Sequence, residues 1–253
     1  MWFVIEHTGS GDPARTLALL WRTQERTSRK GKPDLSVDRI VRAGIEIADT
    51  EGLRALSMRR VAESLGVGTM SLYTYVPGKG ELVDVMVDTV HGETGRSPDV
   101  RGWREQLVYV ARENLAMYRR HPWLMQVAPN RTVLGPQVAA KYDYELRALE
   151  GIGLSDVEMD SVLNLVLGHV QHAARGQAGA TQTERETGMT DQQWWDAAVP
   201  FLMKVFDPAR YPVASRVGNA VGEAYNSAFS PEAAFEFGLA RILDGVEQLV
   251  ATR

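Results

Sequence analysis

Apolar residues along this chain recur at intervals of three and four, and almost no segment alternates with period two. Val37, Ile40, Val41, Gly44, Ile45 and Ala48 fall on one helical stripe, with Ser36 placed to cap its start and Gly52 following its end. Met58, Val61, Ala62 and Leu65 form a second stripe, opened by Ser57 and ended by Gly66. A third helix, over residues 68–75, contributes Leu72, with Val76 just beyond it. Leu82, Val85, Met86, Thr89 and Val90 mark a fourth. The pattern predicts three short helices and a longer one between residues 35 and 92.

Residues 93–102, ETGRSPDVRG, are polar and broken by Gly and Pro, and read as a joint between two parts. Beyond it, WREQLVYVARENLAMYRRHP predicts a long helix ending near Pro122, and HPWLMQVAP a short apolar helix or turn. PQVAAKYDYELRALEGIG predicts another helix, stopped by Gly151 and Gly153. Ser155 and Glu158 have capping-box spacing. The helix they open, running to about Gly176 by its apolar residues, is apolar on nearly every side, and such a helix is expected to be buried all round. Residues 177–190 read as a loop, 191–206 as a helix with Trp194 and Trp195, and 207–230 as a mobile Pro-, Gly- and Ser-containing stretch. Ser230-Pro231 opens a last helix carrying Phe235, Leu239, Ile242, Leu243, Val246, Leu249 and Val250. The fold class is all-α. Its expected parts are an extension over 1–34, a small helical head over 35–92 and a larger helical domain over 93–253.

Composition narrows the chemistry. The 253 residues are 44% hydrophobic and include no cysteine, which excludes disulfides and thiolate zinc sites. The apolar run Trp2 to Ile5 is too short for a signal peptide or a membrane span, so a cytoplasmic protein is expected. The net charge is −4, yet residues 1–80 hold 12 Lys/Arg against 9 Asp/Glu while the remainder is acidic. A basic first part joined to an acidic second part suggests that only the first meets phosphate; ordinary fluctuation of surface charge fits as well.

The stretch SMRRVAESLGVGTMSLYTYV (57–76) carries the most chemistry. Two short helices around a glycine turn match a helix-turn-helix, whose second helix enters the major groove. Val61, Ala62, Leu65 and Leu72 would hold the pair inward, leaving Thr69, Met70, Ser71, Tyr73 and Tyr75 to face outward. Hydroxyls meet phosphates or base edges, and a methionine covers a thymine methyl. Ser57 and Arg59 open the bracing helix, where a backbone N–H, a hydroxyl and a guanidinium can hold one phosphate; Lys79 can hold another. Spacing alone also fits any small helical hairpin. Arg22, Arg26, Arg29, Lys30 and Lys32 make a basic arm that suits a minor groove or flanking phosphates, or a solvated tail. TLALLW (16–21) before it adds a short helix.

The string GLRALSMRRVAESLGVGTMSLYTYVPGKGELVDVMVD (52–88) resembles the DNA-binding domain of the TetR family of bacterial repressors. TERET (183–187) and FGLARILDGVEQLV (237–250) are similar to the tetracycline-repressor-type regulatory domain. The likeness covers residues 35–252. It implies that Thr69, Met70, Ser71, Tyr73 and Tyr75 lie on the recognition helix, that Tyr73 meets the DNA backbone, and that Ser57, Arg59 and Lys79 meet phosphate. Met70 departs from the proline of the tetracycline repressors, so base preference does not carry over.

The resemblance further implies a homodimer and an inducer cavity in the second domain. The helices over 155–176 and 231–251 independently carry more apolar surface than one chain covers. His121, Trp123, Met125, Tyr142, Glu145, His169, Gln171, His172, Trp194 and Trp195 are polar or aromatic groups on otherwise apolar helices, and are the candidate cavity residues; core packing or a solvated face is the alternative for each. His169 and His172 share a helix face without a carboxylate in register, so no metal is expected, and no cofactor. Tetracycline itself does not carry over as inducer, because the match near Gly168-His169 needs a gap before TERET. The expected function is a sequence-specific repressor released from a palindromic operator by a small molecule. The alternatives are a DNA-binding regulator without ligand control and an all-helical enzyme, the latter lacking any nucleophile–base pair, phosphate loop or metal cluster.

Overall fold

The computed structural model describes residues 6–9, 11–23, 35–96, 101–128 and 131–252. The chain divides into two compact units, residues 1–164 and 165–253. The first holds the head and most of the larger domain's early helices.

Unit one begins with a two-residue strand, β1 (Glu6–His7), and a short helix, α1 (Pro13–Leu20). The Asp12 carboxylate accepts from the Arg15 N–H at 2.9 Å and caps α1, which confirms the helix expected in TLALLW. The head follows as α2 (Val37–Glu51), α3 (Met58–Leu65), α4 (Thr69–Leu72) and α5 (Lys79–His91). Its punctuation is the one read from the sequence. Ser36 caps α2 and Ser57 caps α3 through their side chains. Gly52 ends α2 with φ 84°, and Gly66 ends α3 with φ 66°, a left-handed conformation that costs any other L residue more. Ile40, Val41, Leu53, Leu56, Val61, Leu72, Val76 and Leu82 are 0–1% exposed and form the head's core. One difference is the third helix, which is a single turn over Thr69–Leu72; Tyr73 to Tyr75 lie in the turn after it rather than in helix.

Helix α6 (Trp103–Arg120), a 3₁₀ turn at Pro122–Gln126, β2 (Val127–Ala128) and α7 (Pro136–Leu146) continue the unit. β2 pairs in parallel with β1, Glu6 opposite Val127 and His7 opposite Ala128. The Gly135 cap of α7 has no side chain, and Asp88 of α5 replaces it, accepting from the N–H groups of Gln137 at 3.0 Å and Val138 at 2.9 Å. Gly151 and Gly153 follow with φ 75° and 97°, where the sequence predicted a stop.

Helix α8 (Asp156–Thr187) starts at the expected box, Ser155 Oγ donating to Glu158 at 2.8 Å and Ser155 N–H at 2.9 Å. It corrects the expected loop at 177–190. Gln182 bonds Glu186 one turn on, an i,i+4 pair that supports helix where apolar residues are missing, while the Thr181 and Thr187 hydroxyls donate to the carbonyls of Gln177 and Thr183 one turn back. Within one chain, Leu165 of the apolar stretch is 55% exposed.

In unit two, α9 (Asp191–Val205) matches its expectation, while α10 (Pro212–Tyr225) replaces the mobile stretch. The apolar side chains of α10 recur with helical period, and Asn226 ends it in a left-handed conformation. Neither helix buries a residue within the chain. Helix α11 (Pro231–Ala251) opens on the Ser230 cap and buries Phe235, Leu239, Leu243 and Val246.

Candidate nucleic-acid interface and ligand-domain residues

The head's outward residues sit where the apolar ones leave them. Leu72 is fully buried under α4, which turns Met70 (78% exposed) and Tyr73 (44%) toward solvent, with Ser71 exposed and Thr69 and Tyr75 half-buried. A four-residue helix has no stability of its own, so α4 is held by Leu72 and Val76 beneath it and by its packing on α3. Ser57 Oγ accepts from the Arg60 N–H at 3.1 Å, which leaves its own O–H able to donate outward. Arg59 is exposed and donates from Nε to Glu63 at 2.8 Å, an exchangeable surface pair. Its neighbour Arg60 instead grips Glu51 at 2.6 and 3.2 Å, fixing α3 to the end of α2 and holding the Glu51 carboxyl below its ordinary range. Lys79 stands at the first position of α5. All eight candidate DNA-contacting residues therefore occur on the start of α3, on α4 and the turn after it, and at the start of α5. Arg26, Arg29, Lys30 and Lys32 of the basic arm lie outside the described residues, and Arg22 pairs with Asp38 at 2.6 Å.

The candidate cavity residues fall into separate groups. His121 and Trp123 are 6% and 1% exposed and both turn their polar atoms to the head: His121 Nδ1 and Trp123 Nε1 each donate to Asp49 of α2 at 2.8 Å, while His121 Nε2 faces Glu93 at 2.9 Å. Met125 is buried nearby in the same 3₁₀ turn. Glu145, 2% exposed, belongs to a different cluster; it accepts from Lys141 Nζ at 2.8 Å and from Asn114 Nδ2 at 2.6 Å. Burial pushes the Lys141 ammonium below its ordinary value, while burial and Lys141 together push the His91 ring down to about 4. Tyr142 lies at the surface, donating to Asp160 at 2.8 Å.

In unit two, His169 stacks on Phe235 with ring centroids 5.4 Å apart, and its Nε2 faces the Phe235 carbonyl at 2.9 Å. Gly238 lets α11 approach, since a Cβ there would meet the His169 ring. Gln171 and Trp195 are half-buried, His172 and Trp194 exposed. An open groove of ≈ 530 Å³ runs along the start of α6, lined by Arg101, Arg104, Glu105, Val108, Tyr109 and Arg112, and holds none of the ten candidates.

The chain's likeness to known proteins bears on both regions. Residues 40–86 match the family described as "Bacterial regulatory proteins, tetR family", and residues 97–250 match the "Tetracyclin repressor-like, C-terminal domain". The chain is 50% identical over 251 residues to the HTH-type transcriptional repressor DrrR1 of Streptomyces coeruleorubidus, covering 98% of this chain and 90% of that one. The chain belongs to the tetR family. Within that family it is also 27% identical to the class C tetracycline repressor protein of Escherichia coli, over 86% of this chain and 93% of the other. The crystal structure of ActR from Streptomyces coelicolor in complex with actinorhodin superposes with a TM-score of 0.70 at 30% identity, over 85% of this chain and 96% of that one.

A tetR-family chain is a DNA-binding transcriptional regulator and not an enzyme, so the polar clusters of the second domain are not read as catalytic. Sequence reasoning missed the partners that organise those clusters: Asp49, Glu93, Asn114 and Lys141. It also passed over Asp84 and Asp88, 1% and 4% exposed, although two aspartates one turn apart among Leu82, Val83, Val85, Met86 and Val87 were a usable signal. Among the described residues, no helix is long and apolar enough to cross a membrane.

Proposed function

We propose that this chain is a cytoplasmic homodimeric repressor that grips a palindromic operator with the α3–α4 heads and releases it when a small organic molecule enters the second domain. The observation that carries the DNA-binding part is the orientation of α4. A one-turn helix held from below by Leu72 spends Thr69, Met70 and Ser71 on its outer side, and Tyr73 joins them from the turn after it. Such a surface has no packing use within the chain, and it suits base edges and phosphates. Ser57, Arg59, Tyr75 and Lys79 flank it as phosphate contacts.

The dimer is supported by apolar surface left bare in one chain. Phe201, Met203, Val205, Val213 and Phe237 are 62–68% exposed on α9, α10 and α11, far more than scattered surface apolars require. Two heads read a palindrome only if held about one DNA turn apart, roughly 34 Å, and a dimer supplies that spacing. Ligand control is supported by the ActR complex with actinorhodin, a relative 30% identical over most of both chains. The candidate contacts remain Met125, Tyr142, Gln171, His172, Trp194 and Trp195, with His121, Trp123, Glu145 and His169 acting through the bonds they already make. The ligand has to favour the released state, since equal affinity for both states shifts nothing.

A mobility-shift titration on the DNA upstream of the chain's own reading frame tests this. A discrete shift, lost on Tyr73→Ala and reversed by actinorhodin as a first probe, is the expected result. Retention of the shift against every small-molecule class offered would favour a regulator without ligand control. No shift at low salt would overturn the DNA-binding reading.

A further inference from the structure

The segment ahead of the head touches three parts of unit one. Thr8 N–H donates to the Ala128 carbonyl at 3.2 Å beside the β1–β2 pair, and Thr8 Oγ1 donates to the Arg131 carbonyl at 2.5 Å. Gly9 N–H donates to the buried Asp84 carboxylate of α5 at 3.1 Å, and Arg131 Nη1 returns a bond to the Gly9 carbonyl at 3.1 Å. Gly9 has φ 64°, and a Cβ there would press on the Arg131 side chain at 3.0 Å, so the position favours glycine twice over. Helix α1 then packs on α5, burying Thr16 and Leu20. Trp21 Nε1 donates to the Leu134 carbonyl at 2.8 Å, and Arg22 reaches Asp38 at the start of α2.

We infer that residues 6–9 and 11–23 are a strap that fixes α5, the last helix of the head, relative to Ala128, Arg131 and Leu134, and thereby sets the angle at which the head is presented to DNA. The inference rests on the DNA-binding reading above. Asp84 is the fulcrum. It is 1% exposed, and the Gly9 N–H is the bond that offsets its desolvation. Take the strap away and α5 loses the covering of α1 and the partner of a buried carboxylate, and the anchors on the carbonyls of Ala128, Arg131 and Leu134 go with it. The helix joining head to body then samples a wider range of angles. Operator affinity falls by the fraction of time spent at the competent one.

This role differs from that of a DNA-contacting arm, and charge separates the two. A strap acts without phosphate contact, so loosening it with uncharged substitutions weakens binding while the salt dependence stays as it was. An arm that neutralises phosphates would change the salt slope when shortened.

The test is Thr8→Val/Trp21→Phe in the full chain, which removes the bonds of the Thr8 hydroxyl and of the Trp21 indole and no charge. Hydrogen exchange without DNA is expected to be at least about threefold faster in α5, with α3 unchanged. Operator affinity is expected to weaken about three- to tenfold at an unchanged salt slope. A chain lacking residues 1–21 keeps the basic arm from Arg22 onward and is expected to show the same effects, enlarged. Unchanged α5 exchange in both variants would overturn the strap, as would a loss of affinity seen only as a smaller salt slope. Because the exchange measurement uses no DNA, a wild-type chain that ignored every duplex would defeat the functional reading while leaving the strap separately decided.

Discussion

His121 and Asp49, 72 residues apart, are joined by a hydrogen bond of 2.8 Å that ties the turn after α6 to the second half of α2. Trp123 Nε1 donates to the same Asp49 oxygen, and Glu93 closes the far side of the imidazole. The joint between head and body is therefore a polar cluster around two nearly buried rings, and a ligand-driven change at the turn has a direct route to the DNA-reading head.

Breaking that cluster is expected to cost stability. His121→Ala leaves a cavity and removes one of the Asp49 donors, so unfolding free energy should fall by about 1–3 kcal/mol. Trp123→Phe keeps the packing and loses one hydrogen bond, at about 1 kcal/mol. Urea unfolding of both variants checks the order; an equal cost for the two would mean that hydrogen bonding, not packing, holds the joint.

On the DNA face, Arg59→Gln and Met70→Ala are expected to separate by kind. Loss of the Arg59 cation should weaken all duplexes alike and reduce the salt slope by about one. Met70→Ala should leave the salt slope intact and reduce discrimination among operator variants. Fluorescence-anisotropy titrations at three salt concentrations distinguish the two patterns, and neither substitution should change the melting temperature.

The Lys141–Glu145 pair is buried on both sides. Lys141→Met alone strands a carboxylate with only Asn114 to bond it, and a loss of about 3–5 kcal/mol is expected. Lys141→Met/Glu145→Gln removes both charges and should recover much of that loss. A double variant no more stable than the single one would show that the pair contributes through geometry rather than charge balance.

The His91 ring titrates at about 4 in the folded chain against 6.5 unfolded. Its Nδ1 faces the Val87 carbonyl at 2.7 Å, and its neutral form is the one the fold accommodates. A depressed folded value means that its contribution is complete above pH 6.5 and is lost as the pH falls toward 4, by up to about 1.4 kcal/mol per pH unit. Asp84 and Asp88 are raised by burial and act in the opposite sense, contributing more as the pH falls. Comparing the chain with His91→Gln isolates the ring: the variant's stability should decline less steeply between pH 6.5 and 4, as read by thermal melts.

Most of the head was legible because its signals are local. Ser36, Ser57, Gly52 and Gly66 act within four residues of themselves, and the outward set from Thr69 to Tyr75 follows once Leu72 and Val76 are placed inward. Helix α8 past residue 176 was hidden, since it carries few apolar residues and its Gln182–Glu186 pair is not advertised by composition. The roles of His121 and Glu145 were out of reach for a different reason. His121 is decided by Asp49, 72 residues distant, and Glu145 by Asn114, 31 residues distant, as well as by its neighbour Lys141. A polar residue on an apolar helix faces a cavity or a buried partner, and the two look alike in one dimension.

Thr8 meets a strand partner that lies 120 residues further along the chain. At about 5–20 residues per second, the ribosome delivers that partner on the order of ten seconds after Thr8 itself. The helices up to α5 are synthesised inside that interval and can assemble unaided. The β1–β2 pairing is consequently a late event in biogenesis, and a nascent chain stalled before Ala128 would carry a complete DNA-reading unit whose orientation had not yet been set.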